Sequence, residues 1–283
     1  MPIATVDGIE TYYETYGSGS PILMCAPGGF DATIDKWREA SAWTGIDAIK
    51  ALAAEHTVIV YDRRECGRST GRIERLGWAS FARHGKALLD HLNIGSAWVM
   101  GGCMGCSVAL AFGVHHPEAT RGLLLHWPVG GFRWKANSQE RFLRHYSFAK
   151  QNGIKGVIER ARGGKSFWRD PEGGPWATMI ARDAAFAEGF AAQDLERYLG
   201  IVITTGRGLF DRDTAPGAEP EEAMGVKAPS LIIPGDDASH ATSGAHYLRE
   251  LLSKADFWNV MPPEQTTEEV CERILGFCRN HSD

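Results

Sequence analysis

The chain has 283 residues, 43% apolar and 23% charged, with a formal net charge of −5. That balance supplies enough apolar surface for a sizeable core and excludes a disordered or fibrous chain. No run of Lys and Arg forms a basic stripe, so nucleic acid is not an expected partner.

In chain order, residues 8–16 alternate with period two, as a half-buried strand does. Residues 20–25 form a short apolar strand that stops at Ala-Pro-Gly-Gly. A helical pattern over 47–55 precedes the continuous apolar strand 56–61 and the loop 62–69. Apolar positions at helical spacing over 78–92 lead to a strand at 96–100, a helix opening over 107–115 and a strand at 122–126. Strands alternating with helices predict a mostly parallel sheet of βαβ units. The alternation then stops. Residues 128–222 carry aromatics and Arg among amphipathic stretches, notably 138–150 and 183–198, with a Pro- and Glu-rich linker at 215–222. A strand at 229–235, a last strand at 256–261 and a helix at 268–279 resume the sheet. The domain reading is therefore a core of residues 1–127 and 223–283, with a helical cap over 128–222.

The opening residues MPIATVDGIETYYETYG show neither a basic nor an apolar leader segment. No apolar run approaches the roughly 18 residues of a membrane-spanning helix. The expectation is a soluble, cytoplasmic protein with no membrane partner. Its six cysteines, Cys25, Cys66, Cys103, Cys106, Cys271 and Cys278, are expected as reduced thiols. The Cys103-x-x-Cys106 spacing lacks the second ligand pair that zinc needs. A thioredoxin-like redox pair is its other reading.

The segment Gly101-Gly102-Cys103-Met104-Gly105 falls between a strand and a helix. That is the context of a G-x-S-x-G nucleophile elbow, with cysteine in the serine position. Small neighbours let strand and helix approach closely, and the helix N-terminus favours a thiolate. The plain alternative is a Gly-rich turn with an inert cysteine.

With this segment the chain resembles the α/β-hydrolase superfamily of the capped kind. The resemblance extends over Ala26-Pro27-Gly28-Gly29-Phe30, similar to that family's oxyanion loop, and over Tyr61-Asp62-Arg63-Arg64-Glu65-Cys66-Gly67-Arg68-Ser69, where Glu65 and Cys66 depart from its usual pattern. A cysteine elbow is also locally similar to that of dienelactone hydrolases. The resemblance implies an α/β-hydrolase fold: a mostly parallel twisted sheet flanked by helices, with an inserted helical cap. It implies Cys103 as nucleophile and the N–H groups of Gly29 and Met104 as oxyanion hole. It places an acid after strand 229–235, best matched by Asp237. The family's histidine after the last strand is missing: Met261-Pro262-Pro263-Glu264-Gln265-Thr266 holds none. His240, near Asp237, and Glu264, in the lost position, are the two candidate bases.

Phe30, His126 and Trp127 are candidate substrate contacts. Arg133, Lys135, Arg141 and Arg144 read as solvated helix faces, of which one or two could meet a substrate carboxylate. The implied activity is hydrolysis of a small-molecule ester, lactone or thioester through a Cys103 acyl-enzyme. A lyase, hydratase or isomerase using Cys103 with Glu264 or His240, and a non-catalytic receptor, are the alternatives. No metal, nucleotide or flavin is expected, and homodimerisation is left open.

Overall fold

The computed structural model describes residues 2–39 and 47–281. The strands are β1 Ile3–Val6, β2 Ile9–Tyr16, β3 Ser20–Cys25, β4 His56–Tyr61, β5 Ala97–Gly102, β6 Thr120–His126, β7 Ser230–Ile233 and β8 Ala255–Phe257. Among the described residues they form one sheet in the order β1-β2-β4-β3-β5-β6-β7-β8. β1 and β2 pair antiparallel, as do β2 and β4, while every pair from β4 to β8 is parallel. β5 therefore lies inside the sheet, and its C-terminal end opens between those of β3 and β6.

The helices are α1 Lys36–Glu39, α2 Ala48–Leu52, α3 Trp78–His91, α4 Met104–His115, α5 Phe132–Ala161, α6 Ala177–Arg182, α7 Ala184–Ala191, α8 Leu195–Leu209, α9 Pro220–Met224, α10 Thr242–Leu251 and α11 Thr267–Asn280. They cover both faces of the sheet, because its central strands are apolar on both. Leu23 and Val99 face a layer with Phe81, Leu88, Val108 and Leu248. Their neighbours Ile22, Met24, Trp98 and Met100 face the opposite layer, with Trp37, Leu52, Val270 and Ile274. The split follows the period-two alternation of strand side chains. Each such fully buried side chain contributes about 1.5–3 kcal/mol. α4 is buried along residues 104–113, with no polar stripe, since it runs between the sheet and α3.

α5 to α9 lie between β6 and β7. α5 is longer than the 138–150 stretch predicts and kinks at Gly153, whose φ is 68°. The 183–198 stretch is two helices, because the Asp194 side chain accepts from the Arg197 N–H and starts α8 afresh. The linker contains α9, opened by Pro220. His145 anchors this insertion: its Nδ1 donates to the Glu172 carbonyl at 3.0 Å, and its Nε2 accepts from the Tyr198 hydroxyl at 2.6 Å. A ring cluster of Phe30, Phe142, Phe167 and Trp168 joins the insertion to the loop after β3.

Two sheet expectations are corrected. α4 begins at Met104, directly after the elbow residue, rather than at 107. The last strand ends at Phe257 rather than 261. Beyond it Trp258 makes one more ladder bond, to the Ile232 carbonyl, and Pro262-Pro263 has no N–H to continue.

Candidate active site

Cys103 sits between the end of β5 and the first residue of α4, at φ 53° and ψ −124°. This conformation is strained for a residue with a Cβ, by about 1–3 kcal/mol. Its surroundings hold it: the Cys103 N–H donates to the His126 carbonyl at 3.1 Å, and its carbonyl accepts from the Cys106 N–H at 3.0 Å. The turn can be this tight only because its neighbours lack side chains. A Cβ on Gly105 would lie 2.1 Å from the Cys25 carbonyl oxygen, and one on Gly101 would lie 2.3 Å from that of Gly105. Cys103 is partly exposed, whereas Cys25, Cys66, Cys106, Cys271 and Cys278 are buried. The Cys106 thiol donates to the Gly101 and His126 carbonyls, at 3.1 and 3.2 Å, and burial drives its pKa well above the usual range. It is a packed thiol under the elbow.

Asp237 and His240 reach this point from the loop between β7 and α10. The Asp237 carboxylate accepts the Ser239 N–H at 2.7 Å and the His240 N–H at 3.0 Å, an Asx turn that fixes the loop. The same carboxylate accepts His240 Nδ1–H, at 2.9 Å from both oxygens. Backbone bonds from Gly130 to the Ser239 carbonyl and from Ala241 to the Gly130 carbonyl pin the loop to the chain beyond β6. Burial would raise the Asp237 pKa, but the bonds from the His240 ring and from the Ser239 and His240 amides hold it low.

The other ring nitrogen of His240, Nε2, is buried with no ordinary hydrogen-bond partner among the described residues. Burial alone would push the imidazole pKa down. Interaction with Cys103, and then with Asp237, outweighs burial and raises the pKa to about 9. Cys103, His240 and Asp237 thus stand in the order sulfur, imidazole, carboxylate.

A cleft of about 310 Å³ opens at Cys103. On the core side it is lined by Gly28, Gly29, Cys103, Met104 and Ser239. Trp134, Asn137, Ser138, Arg141 and Trp168 line it from the insertion. Met104 is the first residue of α4, so its N–H has no acceptor within the helix. Trp168 closes directly over Gly29, where a Cβ would lie 2.2 Å from the indole. A larger open cleft, about 630 Å³, lies between Glu74–Arg83 and Asp211–Glu222 and contains none of the elbow residues. Size alone does not single out the cleft at Cys103.

The other expected residues are placed differently. Glu264 is exposed in a 3₁₀ turn, and none of its described contacts reaches Cys103. Gln265 is the residue of that loop that points inward. It donates to the Pro234 carbonyl at 2.8 Å and the Val260 carbonyl at 2.7 Å, and accepts the Trp127 indole N–H at 2.7 Å. Trp127, at a positive φ of 53°, stacks on His126 and packs its ring 5.7 Å from that of His240. It supports the imidazole and does not line the cleft. His126 is buried below the elbow, its pKa pushed down to about 3 by burial and by the charge of His240. Phe30 is buried in the ring cluster. Neither lines the cleft as a substrate contact. Sequence reading missed Gln265, whose partners lie 138 and 31 residues away. No group of three or more His, Cys, Asp or Glu among the described residues is arranged to hold a metal ion.

Superposition decides the fold. The solved enol-lactonase from Burkholderia xenovorans LB400 matches 98% of this chain and 100% of its own, with a TM-score of 0.63 at 18% identity. The chain has the α/β-hydrolase fold. A family model described as the alpha/beta hydrolase fold matches residues 21–147, from β3 into α5. A protein of Azorhizobium caulinodans, bearing the provisional name carbamate hydrolase RutD, is 34% identical over 125 residues, 44% of this chain and 43% of its own length. The chain thus spans under half the length of that curated relative. The non-heme chloroperoxidase CPO-A1 of Kitasatospora aureofaciens is 24% identical over 242 residues, 84% of this chain and 81% of its own. On this fold, Cys103 stands at the strand–helix turn between β5 and α4, while His240 and Asp237 share one loop after β7.

Proposed function

We propose that this protein hydrolyses a small carboxylic ester, lactone or thioester through a Cys103 acyl-enzyme. The observation that carries the reading is a partly exposed cysteine in a strained turn at the head of α4, together with an imidazole whose Nδ1–H is held by Asp237 and whose pKa Cys103 helps to raise. A solved enol-lactonase of the same fold supports the substrate class.

In this reading the thiol proton rests on His240, leaving a thiolate. The thiolate sulfur attacks the carbonyl carbon, and the oxygen takes the negative charge. N–H groups of Gly29 and Met104 stabilise that oxyanion, roughly 3 kcal/mol for one such donor. The tetrahedral intermediate collapses, the imidazolium gives its proton to the leaving oxygen or sulfur, and a thioester remains on Cys103. Neutral His240 then takes a proton from water as the water attacks the thioester. The acid departs and the thiolate–imidazolium pair returns. Asp237 keeps the ring in the tautomer that presents Nε2 to the sulfur. The insertion acts as a cap over the acyl group.

The test is turnover of 4-nitrophenyl butyrate with intact-protein mass measured during the reaction. The expected result is a butyryl adduct on Cys103, accumulating in His240→Ala, and no turnover by Cys103→Ala. Wild-type rates in Cys103→Ala would overturn the reading.

A further inference from the structure

Arg141 is the one permanently charged side chain lining the Cys103 cleft among the described residues. Its guanidinium donates through Nη1 to the Trp168 carbonyl at 2.5 Å and lies 5.5 Å from the centre of the Trp168 ring. Neither is an anion. The same helix supplies a contrast. Arg144, three residues on, pairs with Glu172 at 3.2 Å, and Arg160 pairs with Asp170 at 2.9 Å. These outward arginines have carboxylate partners. Arg141, turned into a concave site, has none among the described residues. A half-buried cation without a counter-charge is unfavourable until an anion arrives.

The cleft volume, about 310 Å³, is at the small end for ligand sites. Whatever acyl group stays on Cys103 must fill it, whereas the leaving group must exit. From these observations we propose that the acyl part of the substrate carries a second, free carboxylate, which Arg141 binds while Cys103 attacks the scissile carbonyl. The product acid is then a short dicarboxylate. The planar guanidinium fork, already steadied by Trp168, suits a carboxylate bound through two oxygens. This rests on the hydrolytic reading above and narrows its substrate class.

The experiment compares mono-4-nitrophenyl esters of glutaric, adipic and pimelic acids with the same compounds capped as methyl esters. Three lengths cover the unknown span from sulfur to guanidinium. The wild-type protein should favour the free acid by about tenfold or more in kcat/KM at its best length, the usual range for a charged hydrogen bond. Arg141→Gln should bring that ratio to within about threefold of unity, and Arg141→Lys should keep part of it. A wild-type ratio below about threefold at every length, or an undiminished ratio in Arg141→Gln, overturns the proposal. Should Arg141→Gln not fold, the wild-type ratio and the Arg141→Lys ratio decide alone. If no ester is turned over, the hydrolytic reading fails separately. Calorimetry with adipate against neutral adipamide then judges the anion site: binding of adipate only, weakened in Arg141→Lys, supports it, and no adipate binding overturns it.

Discussion

Two loops end neighbouring strands of the sheet and do opposite work. The loop after β7 places Asp237 and His240 three residues apart, with the carboxylate bonded both to the ring and to the turn that carries it. The loop after β8 holds Glu264 out in solvent and sends Gln265 inward, to two backbone carbonyls and the Trp127 indole. It ends in a capping box, in which Thr266 and Glu269 satisfy each other's amides at the start of α11. One loop concentrates ionisable groups; the other is spent on hydrogen bonds that hold position. The difference teaches that a carboxylate and the imidazole it holds need not come from separate strands. A single Asx turn can present both, provided a neighbouring loop braces the ring from the side.

Substitutions in the two loops separate these roles, and the effects should descend in size. His240→Ala should have the largest effect. Activity on an activated ester should fall roughly 10²–10⁴-fold. In the wild-type protein the imidazolium persists up to about pH 9, so acylation by an alkyl ester, whose leaving alkoxide needs a proton, should slow as pH rises through that value. That alkaline limb should be absent from the pH profile of His240→Ala; a limb near pH 9 that survives would assign it to another group. The sign for stability is the same: the stabilisation from this raised pKa is complete below pH 6.5 and is lost as pH passes about 9.

Gln265→Ala should follow, with kcat down about tenfold, because Trp127 loses its tether and the ring of His240 loses its brace. Stability should also fall by about 1–3 kcal/mol from the unpaired carbonyls and indole. Gln265→Glu, which keeps the indole bond and loses both donors, should sit between; chemical denaturation and steady-state kinetics together check this, and unchanged kcat in Gln265→Ala would remove Trp127 from the positioning role. Glu264→Gln should have the smallest effect, within about twofold of wild type, as for exposed residues far from any network. A tenfold loss there would return Glu264 to the candidate bases.

The sequence makes some of this readable and hides the rest for physical reasons. The elbow is legible because the chemistry of a tight strand–helix turn dictates its spacing: Gly101 and Gly105 flank Cys103 where side chains would collide with backbone. The layered sheet is legible because β4 and β5 are continuous apolar runs, buried throughout or nearly so. Asp237 and His240 stand out as a local pair, three residues apart, whose turn is encoded in the same few residues. Gln265 does not, since its role exists only once Pro234 and Trp127 have been folded against it. The glutamate one position earlier has the more suggestive chemistry and the wrong direction. Likewise Arg141 and Arg144 look alike in the chain. Only the packing of α5 turns one into the cleft and the other toward Glu172. The break between α7 and α8 rests on one aspartate cap inside an otherwise helical stretch, which periodicity alone passes over.

The distribution of sulfur has a practical consequence. Burial pushes the Cys25 and Cys271 thiols up to about 11 and those of Cys66 and Cys278 to about 12, and Cys106 well beyond the usual range. Cys103 alone of the six is partly open to solvent. The native chain therefore carries a single addressable handle. A maleimide dye or spin label supplied at neutral pH would mark one position per molecule without any cysteine being engineered away, and that position reports directly on the cleft.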